Sequence, residues 1–529
     1  MAWTGAVNVD LATVWGKPGR KDFIRILGWG DLVEVEEMDS DGVRIKTTRF
    51  VDRKDGSKPQ PITAYLTPKP GMSAKDLVIP AEDSRVLKVN FIDVQQGDGA
   101  VIETPKRDKE RGKVILVDGG DNQLFARYLA GRFANTSEEK PLDVDCILVT
   151  HGDADHFLGL TKIMESEGNE TEWKRLFIRP HRVFHNGLVK RPSKMDGKAV
   201  AETAMFGKTK EVDGRKVIVD LVDDLVDDVD PASMNLPFKQ WRKVLETYRK
   251  RYKKTPVQIR RLEEGADDAF AFLKEDGVEV KVLGPITTKV GDRSGLRFLG
   301  NPPKGEPHIG LDPKKPKGRQ FTGYSASHTI NGHSVLLRVT YGGFSFLLAG
   351  DLNEESELDL TQRRPADLRA EVLKVPHHGS ADFSGEFLKA VCPVLSVVSS
   401  GDESARKEYI HPRASLMGSL GRHSRLDQPL ILVTELVAFF AVKGYVDPER
   451  HQMDDTGILV MKRGKVVELK KAGSRFFAFE RTSYGLVKVR TDGKRLVVYT
   501  DSGNVKMKEA YAYSLNDKGE PIGAAVRQA

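Results

Sequence analysis

Four side chains able to hold a cation stand within six residues: His151, Asp153, Asp155 and His156. They follow the apolar run Ile147-Leu148-Val149, which ends in Thr150 and is bounded by Gly152. A run this short reads as a buried strand rather than a helix. From Asp155 onward, Leu158, Leu160, Ile163 and Met164 can supply the apolar face of a helix. The four polar residues therefore belong at a strand-to-helix corner. Carboxylates crowded there repel one another and lose hydration. A divalent cation removes both costs, and a mixed imidazole and carboxylate set suits zinc, manganese or iron. Taken singly, each aspartate reads as a helix N-cap and each histidine as a loop residue. All four together at this spacing point to metal.

The bulk of the chain sets the frame for that corner. Its 529 residues imply two to four domains, and 39% apolar with 30% charged residues is a globular composition. The longest apolar stretch, Leu430 to Val442, is broken by Thr434 and Glu435 and is too short and polar to span a bilayer. The N-terminus shows no basic-then-apolar leader. Cys146 and Cys392 sit in apolar runs and read as small buried hydrophobes. These features lead us to expect a cytoplasmic protein without a membrane partner. The net charge of +7 is compatible with a polyanionic partner.

Further motifs follow in order. Asp93-Val-Gln-Gln-Gly-Asp98 comes after an alternating strand pattern, and Val114-Ile-Leu-Val-Asp118-Gly-Gly ends a second strand. Asn331-Gly-His333-Ser and the run after it read as a strand. Phe344-Ser-Phe-Leu-Leu-Ala-Gly350-Asp351 is another, and Glu371-Val-Leu-Lys-Val-Pro376-His377-His378-Gly379-Ser380 a third. Val394 to Gly401 and His411-Pro412 complete the series. With His-x-Asp-x-Asp-His at 151–156, this series resembles the metallo-β-lactamase fold. The subgroup it resembles is the hydrolase domain of DNA-uptake competence proteins, the ComEC type. The resemblance covers 86–170 and 325–465, roughly 225 residues. Three departures stand out. Asp153 replaces the usual histidine, Gln95 replaces a glycine, and no final histidine follows the strand at Val394.

The resemblance implies an α/β protein: an αββα sandwich with a large insertion and flanking small β-modules. It implies one or two divalent ions, Zn or Mn, held by His151, Asp153, Asp155, His156, Asp351 and the His377–His378 pair, with Asp351 as a bridge. One histidine of the pair would be the ligand and the other would serve the leaving oxygen. Asp155, His378 and His411 are the expected catalytic residues around a metal-activated water. His333 and, more weakly, His328 are further candidates. Asp118 is expected to be a structural turn residue.

Residues 1–82 read as a small, SH3-like β-module, with alternation at Asp31-Leu-Val-Glu-Val and a turn at Asp41-Gly42. The hydrolase domain spans 83–468, with an insertion at about 170–325. Residues 469–529 form a C-terminal β-module around the Asp492-Gly493 turn. Either flanking module could bind a protein partner. The insertion holds an acidic run from Asp220 to Asp230 and a basic segment, Lys239 to Arg261, with ten Lys or Arg. Trp241, Val244, Leu245, Tyr248 and Tyr252 fall at helical spacing. One reading is a phosphate-tracking surface using Arg249, Lys250 and Arg251, with aromatics free to stack on bases. The other is a core-packed helix with a solvated face.

The reading that joins these features is a metal-dependent phosphodiesterase, a nuclease acting on DNA, and a candidate effector of bacterial defence. The alternatives are a small-molecule hydrolase, phosphorylcholine-esterase-like or a lactonase, and a regulatory subunit with a vestigial site.

Overall fold

Two packed β-sheets carry the residues that matter. The structure, a computed structural model, describes residues 2–49, 60–105, 111–195, 197–302, 321–401, 411–436, 458–462, 465–470, 482–483, 485–501 and 509–528. The first sheet has ten strands. Third from one edge is Cys146–Leu148, parallel to Val114–Asp118 on one side and Arg182–His185 on the other. Gly99–Glu103 and Leu87–Phe91 follow antiparallel. The second sheet has six strands, running Val278–Gly284, Leu336–Tyr341, Phe344–Leu348, Val372–Lys374, Leu395–Val398 and Leu430–Val433.

The alternation of side chains explains the stacking. In Leu87–Phe91, Leu87, Val89 and Phe91 enter a core shared with Leu337, Phe344, Phe346 and Val397 of the second sheet. Side chains two apart share a face of a strand, so this core lies between the sheets. Helices cover the outer faces. Ala154–Ser166 lays Phe157, Leu160 and Ile163 on the first sheet, and Leu236–Arg251 packs beside it through Phe238, Trp241 and Leu245. On the second sheet, Glu354–Arg363, Gly385–Val391 and Ala414–His423 bury Leu360, Phe387, Leu388, Leu416 and Leu420. This is the expected αββα order.

Three elements differ from the sequence reading. The segment expected as an insertion is threaded through the sandwich. Arg182–His185 and Gln258–Arg261 are strands of the first sheet, and Val278–Gly284 is the edge of the second. Its own additions include a four-stranded sheet of Thr209–Val212, Arg215–Ile218, Thr288–Val290 and Arg293–Arg297. At 326–332 the chain is a short helix capped by Ser325, and the strand begins only at Leu336. Leu486–Thr491 pairs antiparallel with Leu87–Phe91, so the C-terminal strands extend the first sheet rather than stand apart. Residues 471–481, beside the boundary expected at 469, lie outside the described residues.

The N-terminal module is a seven-stranded antiparallel sheet between Trp3 and Pro80. It rests on the C-terminal strands through Leu11, Trp29, Val497 and Tyr499. Arg495 pairs with Asp10 at 2.9 Å, and the buried Arg490 donates to Asn90 at 2.9 Å. No described helix is long and apolar enough to cross a membrane.

Candidate metal centre

The centre forms where strands of both sheets end at one edge of the sandwich. His151 and His156 follow Cys146–Leu148, Asp351 follows Phe344–Leu348, and His378 follows Val372–Lys374. Parallel strands present their carboxyl ends together, so residues distant in sequence converge there. Gly159 makes the close packing possible: a Cβ there would lie 2.0 Å from the carbonyl oxygen of Gly119. The helix that carries His156 can therefore sit directly on the turn after Asp118.

Ligand atoms of His151, His156 and Asp351 lie within 4.8 Å of one another, as do those of Asp155, His156 and His378. A third such group joins Asp98, Asp351 and His378, and a fourth Asp98, Asp118 and His156. His151, His156, His378, Asp98 and Asp351 are buried. His156 Nδ1 is 2.9 Å from Asp118 Oδ2, and a carboxylate can only accept, so that nitrogen carries the proton. Asp118 also accepts from the Thr150 amide at 2.8 Å and the Thr150 hydroxyl at 2.7 Å. His378 Nδ1–H donates to the Ser399 carbonyl at 3.1 Å. Both rings thereby turn Nε2 toward Asp351 Oδ2, at 3.2 and 3.1 Å. Neither Nε2 has a hydrogen-bond partner, nor do Asp351 Oδ1 and Asp98 Oδ1. Buried polar atoms left unpaired are costly, and this convergence fits a divalent cation.

The electrostatics agree. Burial opposes a charge on His156, yet the Asp351 and Asp118 carboxylates outweigh it and hold that imidazole well above its ordinary value. His378 is raised against burial in the same way, by Asp351 and Asp155. Asp351 is held well below the carboxylate range: burial raises it, and His156 and His378 more than compensate. The site thus favours positive charge at the point where the two Nε2 atoms and Asp351 meet.

Two expected ligands stay out of the cluster. Asp153 Oδ1 is 2.9 Å from Lys190 Nζ, a lysine delivered by the segment after the first sheet's Arg182–His185 strand. Its other oxygen receives the Asn331 amide at 3.0 Å, and the Asn331 oxygen accepts from His377 Nε2 at 3.3 Å. His377 is therefore tied to this side chain, and His378 is the member of the pair that enters the cluster. His411 lies beside His377, with ring centroids 6.2 Å apart, and burial next to His378 lowers it to about 3. His333 donates to the Arg297 carbonyl at 2.7 Å and His328 pairs with Asp382 at 3.2 Å, so both are engaged elsewhere.

The basic helix is core-packed. Trp241 and Tyr248 are 1% exposed, and Phe238 stacks near Phe157 at 5.0 Å. They are not free to stack on bases, which corrects that expectation. Arg249 is held by Asp224 and Asp227, and Arg251 by Glu167 at 2.7 and 2.8 Å. Lys250 remains exposed. The acidic run thus neutralises Arg249 of the helix it precedes. A cavity of about 700 Å³ in the N-terminal module, lined by Trp15, Phe23 and Arg495, touches none of the cluster residues.

Three contributors were missed from sequence. Asp98 reaches the cluster from the loop after Leu87–Phe91, and Asp118 orients His156. Lys374 is buried and pairs with Asp98, donates to the Gly350 carbonyl at 3.1 Å and lies 3.9 Å from Asp351 Oδ1. The motif ending in Asp98 was the available signal. Gln95, in place of the usual glycine, adopts φ +65°, the left-handed conformation that glycine favours.

Residues 101–232 match the Metallo-beta-lactamase superfamily, so the chain carries a domain of that superfamily. It is similar to ComE operon protein 3 of Bacillus subtilis (strain 168), 37% identical over 95 residues, which is 18% of this chain and 12% of that protein. It is also similar to Competence protein ComA of Neisseria gonorrhoeae, 39% identical over 94 residues, 18% of this chain and 13% of the other. The matches thus span about an eighth of these relatives' length. A solved mutant of CmlA beta-hydroxylase aligns over 80% of this chain and 74% of that one at 13% identity, with a TM-score of 0.26, too low to support an argument.

Proposed function

We propose that the protein is a metal-dependent phosphodiesterase, a nuclease acting on DNA. The observation that carries this reading is the pair of imidazoles whose bare Nε2 atoms converge on Asp351, with His151 and Asp155 beside them. A divalent ion held there would supply Lewis acidity and a water of lowered pKa. His151, His156, His378, Asp155 and Asp351 would hold it. Asp118, Thr150 and Ser399 fix the imidazoles so that no reorganisation is needed on binding. His377 Nδ1 is buried with no hydrogen-bond partner, and His411 stands beside it. These two rings are placed to hold or transfer a proton at a leaving oxygen.

DNA is favoured over a small molecule by two features. The cluster is rich in carboxylates, the ligands of harder ions such as manganese. Its motifs are those of the competence-type domains, and two competence proteins are among its relatives. Labelled single- and double-stranded DNA, incubated with protein and Mn²⁺, should be cleaved, with rates falling as salt rises. Cleavage of a lactone or a phosphorylcholine ester without cleavage of DNA would instead establish the small-molecule hydrolase.

A further inference from the structure

We infer that the centre holds one tightly bound ion, and that the Lys374 ammonium stands where a second would bind. The inference rests on the metal-dependent reading above and fixes its stoichiometry. Three of the four ligand groups contain His156. A neutral imidazole has one lone pair, and the Nδ1 of His156 already donates to Asp118. His156 can therefore serve a single ion, through Nε2. The groups around His151 and Asp351, and around Asp155 and His378, describe the surroundings of that one ion.

The remaining group, Asp98, Asp351 and His378, is the only one among the described residues that does not need His156. Its histidine is already committed, because His378 Nδ1 donates to Ser399 and its one lone pair, at Nε2, belongs with His156 and Asp155 to the first ion. A second ion would be left with the carboxylates of Asp98 and Asp351. Lys374 occupies that position. Its ammonium pairs with Asp98, lies 3.9 Å from Asp351 Oδ1 and is fixed by the Gly350 carbonyl. The side chain is 5% exposed, so displacing it would strand a charge in the interior. Lys190 acts similarly on Asp153, which removes a further carboxylate from the cluster.

Equilibrium dialysis of the full chain against Mn²⁺, followed by elemental analysis, reads this directly. Wild type should retain one ion per chain. Lys374→Met, which keeps the length of the side chain and removes its charge, should bind a second ion at least tenfold more tightly than wild type does. The double variant Asp98→Asn with Lys374→Met should return to one. Should Lys374→Met not fold, Lys374→Gln, whose amide can still donate to Asp98, carries the same expectation of a second ion and the same refutation if it stays at one. Two tightly bound ions in wild type would overturn the inference while leaving the proposed function intact. A folded Lys374→Met protein that stays at one ion would overturn it as well. No ion in wild type would defeat the metal-dependent reading itself.

Discussion

Asp118 Oδ2, at the end of one strand, and His156 Nδ1, in the first turn of the helix that follows the neighbouring strand, lie 2.9 Å apart, and this contact decides which nitrogen of His156 can meet a cation. Asp118→Asn would keep the shape but place an amide donor against Nδ1. The proton would move to Nε2, the atom facing Asp351. The variant should still fold when metal-free and bind Mn²⁺ or Zn²⁺ about 10- to 100-fold more weakly, read by chelator competition. Unchanged affinity would show that Asp118 is only the turn residue expected from sequence.

Acid should destabilise the protein through buried neutral imidazoles. Burial lowers His333 and His185 to about 4 each. A histidine depressed in the folded state contributes stability that is present above its unfolded value near 6.5 and is lost as pH falls toward 4. Each should cost on the order of 3 kcal/mol across that window. His156 and His378 are raised and act with the opposite sign, so a difference experiment is needed. His333→Gln, which keeps a donor for the Arg297 carbonyl, should lose less stability than wild type between pH 7 and pH 5 in urea unfolding. Equal losses would refute the assignment.

Gly401 sits against the loop that carries Asp98. A Cβ there would lie 1.8 Å from the carbonyl carbon of Gln95. Gly401→Ala should therefore cost several kcal/mol and weaken metal binding by shifting Asp98. Gly418, inside Ala414–His423 with open space around it, provides the contrast. Gly418→Ala should be stabilising by about 0.5 to 1 kcal/mol. Denaturant unfolding of the two variants checks both signs.

Arg251 grips Glu167 through two nitrogens, and its helix buries its aromatic face. Arg251→Ala should lower stability by about 1 kcal/mol and leave affinity for DNA unchanged. A loss of DNA affinity at constant stability would restore the phosphate-tracking role.

Much of this site was legible because its ligands follow short apolar strands: His151 and His156, Asp351, and His378 all sit where a buried run stops. Sequence could not separate His377 from His378, because the difference lies in Asn331, which reaches His377 from a short helix that the reading took for strand. Asp153 has the right spacing, but a lysine 37 residues on closes over it. Lys374 is a single charge in the run Val372–Val375, and nothing local shows that it points at Asp98 rather than at solvent. The stretch from 170 to 325 looked external because it separates the matching motifs by more chain than the resemblance expects, while its strands pair with partners far along the chain. The basic helix was ambiguous for a plain reason: periodicity gives its apolar face but not what that face meets.

The central claim is that distant strand ends hold a cation that the chemistry needs. The most direct measurement is metal content together with DNA cleavage for wild type and Asp351→Ala. We predict that wild type carries Mn or Zn and degrades DNA, and that the variant, still folded, loses both the ion and at least a hundredfold of the cleavage rate. A metal-free wild type, or an Asp351→Ala protein that cleaves DNA as well as wild type, would contradict the account.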